Sequence, residues 1–192
     1  MSSPNKPSYL GTLNAIVNGE RRGFEFLDAW ARKTENTDLA GMLKTVALRE
    51  AEHAASFEKR MCELGFSLQE REDPKFKKTM EIVSSSQDDV TKFEKLGVGQ
   101  PEQEGEDQLL QLLADKSIDP HTAALLGRFI AEERDSGRIL REAYQCAKGV
   151  VSSPDEAVTL AGIQEQLTRL TEIVGELQTK PTGKKSRVRA IK

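Results

Sequence analysis

The chain has 192 residues, 37% hydrophobic and 31% charged with a net charge of −3, enough for one domain with a single sizeable core. Aromatics are only 5%, and β-branched residues are scattered among Leu, Ala, Glu, Lys, Arg and Gln, so an all-α fold is expected and an all-β one excluded. No apolar run approaches the ~20 residues that cross a bilayer, and MSSPNKPSYL lacks a signal-peptide hydrophobic segment, so a soluble, cytoplasmic protein with no membrane partner is expected.

Proline cannot sit inside a helix without losing a hydrogen bond, so Pro4, Pro7, Pro74, Pro101, Pro120, Pro154 and Pro181 divide the chain. Between them apolar residues recur every three or four positions, the α period. The first helix is predicted over 8–33 and the second over 37–64, joined by a turn at 34–36 so short that the two are antiparallel neighbours. Residues 65–100 hold Pro74, Gly97, Gly99 and Ser84-Ser85-Ser86, and read as a long, partly helical crossover. A third helix over 101–116 turns at 117–119 into a fourth over 120–148, opened by Asp119 as N-cap before Pro120. A fifth, over 153–179, carries Leu160, Ile163, Leu167, Leu170, Val174 and Leu177 at coiled-coil spacing. Its apolar seam wants a partner, either its own bundle or a second copy in a homodimer. Domain organisation is therefore a bundle over 1–152, this amphipathic helix, and a basic tail over 180–192. The tail holds six of the 28 basic residues and no acid, which leaves the remainder with 22 bases against 31 acids. A body so acidic argues against a nucleic-acid partner. Cys62 and Cys146 have no zinc-like spacing and are expected to be reduced.

The apolar stripes are interrupted by ionisable residues. The first helix reads Leu10, Leu13, Val17, Glu20, Phe24, Leu27, Ala31, which turns Glu20 inward. The second reads Leu39, Leu43, Val46, Glu50, His53, Phe57, Met61, so Glu50 and His53 share its buried face. Burying an unpaired carboxylate costs several kcal/mol, so each must be neutralised, paired or bound to a cation. Glu20 lies thirteen residues before the end of its helix and Glu50 thirteen after the start of the next, placing both ~20 Å from the shared turn. The fourth helix reads Leu125, Phe129, Glu132, Ser136, Ile139, with Glu132 thirteen residues after Asp119 and Asp135 one turn on. On the third helix Glu102, Glu104 or Glu106 reaches the same depth, Glu104 being the choice adopted here.

This pattern resembles the ferritin-like superfamily, in particular rubrerythrin-like proteins, in which two helical hairpins joined by a crossover present one Glu from each of two helices and a Glu-x-x-His from each of the others to a pair of metal ions. Glu20 matches the lone Glu, and Glu50-Ala51-Glu52-His53 the first Glu-x-x-His. Glu132-Glu133-Arg134-Asp135 takes the place of the second, with Asp135 where the family has histidine. The other histidine, His121, stands about 16 Å from Glu132 by helical rise and cannot substitute. The resemblance spans residues 8–148 and implies a ferritin-like four-helix bundle with an added C-terminal helix. It implies a metal site of Glu20, Glu50, His53, Glu132, Asp135 and Glu104, holding iron as a di-iron centre, or manganese or zinc, for oxidoreductase chemistry on oxygen or peroxide. The four-cysteine module of rubrerythrins is missing, so an external electron donor is implied. The alternative is a degenerate, metal-free bundle whose Glu20, Glu50, His53 and Glu132 form a buried hydrogen-bonded network, serving as a structural or interaction protein.

Overall fold

The structure, a computed structural model, describes residues 6–100, 108–111 and 113–149. Among these the helices are α1 (Leu10–Lys33), α2 (Thr37–Glu63), α3 (Phe76–Ser84), α4 (Asp89–Leu96), α5 (Gln108–Gln111) and α6 (Pro120–Ala147), with no strand. The first hairpin follows the sequence pattern closely. Its turn works because Asn36, in extended conformation, accepts from the backbone N–H of Asp38 and Leu39 at 3.1 and 3.0 Å, satisfying donors that the first turn leaves orphaned.

The crossover is tied to α1 by amide side chains. Asn14 donates to the carbonyl of Gln69 at 2.9 Å and accepts from its N–H at 2.7 Å, while Asn18 accepts from the N–H of Arg71 at 2.9 Å. The crossover's later part is α3 and α4. Asp89, at the start of α4, accepts from Trp30 Nε1 at 2.7 Å and Thr34 Oγ1 at 2.6 Å, which seats Phe93 against the Trp30 ring at 4.5 Å.

The third helix ends earlier than expected. Residues 101–107 lie outside the described residues, α5 holds Gln108–Gln111, and the chain from 113 to 119 is not helical. Asp115 accepts from the Ser117 N–H at 2.8 Å and the Ser117 hydroxyl at 2.7 Å, and its other oxygen takes the Ser8 hydroxyl. Short polar side chains that capture nearby donors in this way compete with the helical ladder, which stops α5 well short of Lys116. The helix expected over 153–179 and the tail also lie outside the described residues.

Helix α6 begins where predicted, with Asp119 accepting from the N–H of His121 and Thr122 and Pro120 in the first turn. It runs antiparallel to α2: Arg60 reaches Asp119 and Thr122 at one end, and Arg49 reaches Asp135 and Ser136 further along. Two apolar clusters form. One gathers Leu27, Trp30, Leu39, Leu43, Val46, Phe93 and Tyr144, and the other Leu13, Val17, Phe57, Met61, Leu126 and Phe129. On all three long helices the stretch between these clusters is the polar one: Glu20 to Gly23, Glu50 to His53, and Glu132 to Ser136. The bundle is therefore layered, with a charged slab held between two apolar ones.

Candidate metal centre

Inside that slab Glu20, Glu50 and His53 are 7%, 9% and 4% exposed. His53 stands at the focus. Its Nδ1 lies 3.0 Å from Glu20 Oε2 of α1 and 3.3 Å from Glu133 Oε1 of α6, and its Nε2 lies 2.8 Å from Glu132 Oε2. Successive residues of a helix point ~100° apart, which lets adjacent Glu132 and Glu133 grip opposite edges of one imidazole. The Phe129 ring meets His53 edge-on at 5.0 Å, closing the side toward the second apolar cluster.

The protonation states follow from this crowding. Burial, then the charges of Glu20 and Glu133, push Glu50 up to about 9, so it is a neutral acid at pH 7. Burial alone would lower the affinity of His53 for its second proton, but the carboxylates of Glu133, Glu20 and Glu132 around the ring outweigh it and lift the imidazolium to about 10. Burial also acts against the charge of Glu132, yet bonds from Arg128 and His53 hold it below the usual carboxylate range. The metal-free layer is thus an imidazolium among carboxylates, with a protonated Glu50 at its edge.

Glu50 has room only because residue 23 is glycine, since a Cβ there would overlap its Oε2 and crowd Cδ at 3.1 Å. Alanine at an open helical position stabilises by about 1 kcal/mol over glycine. Here Gly23→Ala is expected to leave urea-unfolding stability unchanged or lower, because the buried carboxyl must move. A gain near 1 kcal/mol would show that Glu50 is not confined.

One atom is left over. Glu133 Oε1 is the one buried side-chain polar atom without a hydrogen bond among the described residues; its approach to His53 Nδ1 at 3.3 Å is an ion-pair contact. Glu20, His53 and Glu133 each offer an atom, and these lie within 4.8 Å of one another, a spacing able to surround one cation. With bonds of about 2.0–2.2 Å to nitrogen and oxygen, ligand atoms on one ion stand closer than that.

The family model described as Rubrerythrin matches residues 12–144, most of the chain. The chain belongs to the rubrerythrin family. No curated protein and no solved structure matched it. The expected ferritin-like, all-α architecture stands with that membership; rubrerythrins typically bind iron, and the residues present fit a metal ion: a carboxylate oxygen without a hydrogen bond, an imidazole nitrogen and a second carboxylate converge in a largely buried layer.

Within the rubrerythrin frame the positions sort as follows. Glu20, Glu50 and His53 come together at the depth the sequence predicts. Glu132 touches His53, but its other oxygen accepts from Arg128 Nε at 2.9 Å. Asp135 does not join the cluster: Oδ2 accepts from Arg49 Nη2 at 2.9 Å, and Oδ1 accepts from Arg138 Nε and Nη2 at 3.0 and 2.8 Å. Its arm is short and two guanidiniums compete for it. Glu104, with Glu102 and Glu106, lies outside the described residues, and His121 is exposed at the start of α6. Glu133 and Arg49 went unforeseen. Glu133 sits in the charged run AEERDSGR, and only its contact with the far edge of the ring distinguishes it from a solvated acid.

Proposed function

We propose that this rubrerythrin-family chain binds a redox-active transition metal, iron or manganese, through Glu20, His53 Nδ1 and Glu133, with Glu50 beside them, and uses it in the reduction of oxygen or peroxide with electrons from a separate donor. The observation that carries the reading is the unsatisfied Glu133 Oε1 facing Nδ1 and Glu20. The ion would supply one-electron exchange and an open coordination position for oxygen or peroxide. The chain's own groups do the rest. Glu132, fixed by Arg128, accepts the Nε2 proton and so sets the ring's orientation and leaves Nδ1 as the ligand atom. In the metal-free layer, burial and the charge of Glu20 hold a proton on Glu50 beside these ligands. Phe129 and the two apolar clusters keep water from the buried side.

A second reading is favoured by the hydrogen bonds already on both nitrogens of His53: the layer is a closed, metal-free network that aligns the helices of a structural or interaction protein, a homodimer through residues 153–179. Metal analysis of the full chain, purified and then loaded anaerobically with iron(II) or manganese(II), separates the two. The metal reading expects near-stoichiometric retention. Outer contacts alone change metal affinity 10–100-fold, so loss of a ligand in Glu133→Gln should weaken binding by at least about 100-fold with unchanged helicity. Absence of retained metal in the native chain would establish the network instead.

A further inference from the structure

The family's second metal position draws on the fourth residue of the pattern on the later helix, and here that stretch of α6 is already filled by a guanidinium. Arg49, next to Glu50 on α2, lies along α6: Nη1 donates to the Glu132 carbonyl at 3.0 Å and to Ser136 Oγ at 3.1 Å, while Nη2 donates to Asp135 Oδ2 at 2.9 Å. Arg138 holds the other oxygen of Asp135. Both oxygens of Glu132 are engaged as well, one by Arg128 and one by His53 Nε2. Each oxygen of both acids thus already accepts from a cationic donor.

A pair of ions in such centres stands about 3.5–4 Å apart, and each needs its own terminal ligands. Among the described residues one group alone converges tightly enough, Glu20, His53 and Glu133. A second dication on this stretch of α6 would have to displace the guanidinium of Arg49, which is fixed by its bonds to the Glu132 carbonyl, Ser136 and Asp135. We infer that the centre takes one cation per chain, with the Arg49–Asp135 ion pair standing in for the second metal and its histidine. This rests on the metal-binding reading above and fixes its stoichiometry, making the centre mononuclear where the family's pattern is dinuclear.

The test uses the full chain, stripped of metal and titrated anaerobically with manganese(II), with bound ions counted by elemental analysis and read by electron paramagnetic resonance. One equivalent with the six-line spectrum of an isolated ion is expected. Two equivalents with an exchange-coupled spectrum overturn the inference and leave the metal-binding reading intact, whereas no binding overturns both. The double variant Arg49→Met/Asp135→His, checked for helicity, is expected to take up a second equivalent. If it folds and still binds one, the ion pair is not what closes the position. The native end point decides the stoichiometry whether or not that variant folds.

Discussion

His53→Ala is expected to cost the metal-free protein about 3–5 kcal/mol, enough to unfold a marginal domain near room temperature. Among the described residues His53 is the positive side chain within ion-pair reach of both Glu20 and Glu133, and it shares Glu132 with Arg128. Removing it strands two poorly solvated carboxylates facing each other and opens a void against Phe129. The layer is built so that each partner suppresses the cost of the others, so one deletion exposes the whole desolvation penalty. Urea unfolding of the metal-free variant measures it. A loss below about 1 kcal/mol would mean that the carboxylates do not depend on the imidazolium.

The second large effect is on pH. Glu50 titrates near 4.5 in the unfolded chain and at about 9 in the fold, and His53 near 6.5 and at about 10. For both groups the folded state binds the proton more tightly. Their contributions are therefore fully present below the unfolded values and are lost as pH rises through the folded ones. Stability of the metal-free protein should fall from about pH 4.5, where Glu50 acts alone, and more steeply from about pH 6.5 to about pH 9, by at most roughly 3 kcal/mol per pH unit where both groups act together, levelling off by about pH 10. Asp119 has the opposite sense: its pKa is depressed, burial being overcome by bonds from Thr122, Tyr9 and Arg60, so its contribution is lost on acidification. The optimum then lies near pH 4 to 4.5. Chemical unfolding at pH 6, 7, 8 and 9 checks the slope, and Glu50→Gln should flatten it. A flat or rising profile between pH 7 and 9 would contradict the assigned protonation states.

The first hairpin was legible because its two helices are long and amphipathic, with one polar interruption each. Glu20, Glu50 and His53 stand out against apolar stripes, and counting from a three-residue turn sets their depth. The later half was less legible for two physical reasons. Asp115 and Ser117 divert hydrogen bonds from the helical ladder, which composition and period do not register. In AEERDSGR three acids lie within four residues, and the choice of Glu133 over Asp135 is made by partners on another helix, Arg49 and His53, whose reach depends on how α2 and α6 are rotated about their axes. A three-residue spacing carried over from a family pattern does not encode that rotation.

The layering of the bundle also fixes how its rods line up lengthwise. Sliding α1 or α6 past α2 by one turn, about 5.4 Å, would take Glu20 or Glu133 out of reach of His53 and toward Val46 on one side or Phe57 on the other. Apolar stripes alone tolerate such slippage, because one aliphatic contact replaces another. The buried acids and their imidazole thus act as a detent, admitting a single axial alignment among several that greasy packing would accept.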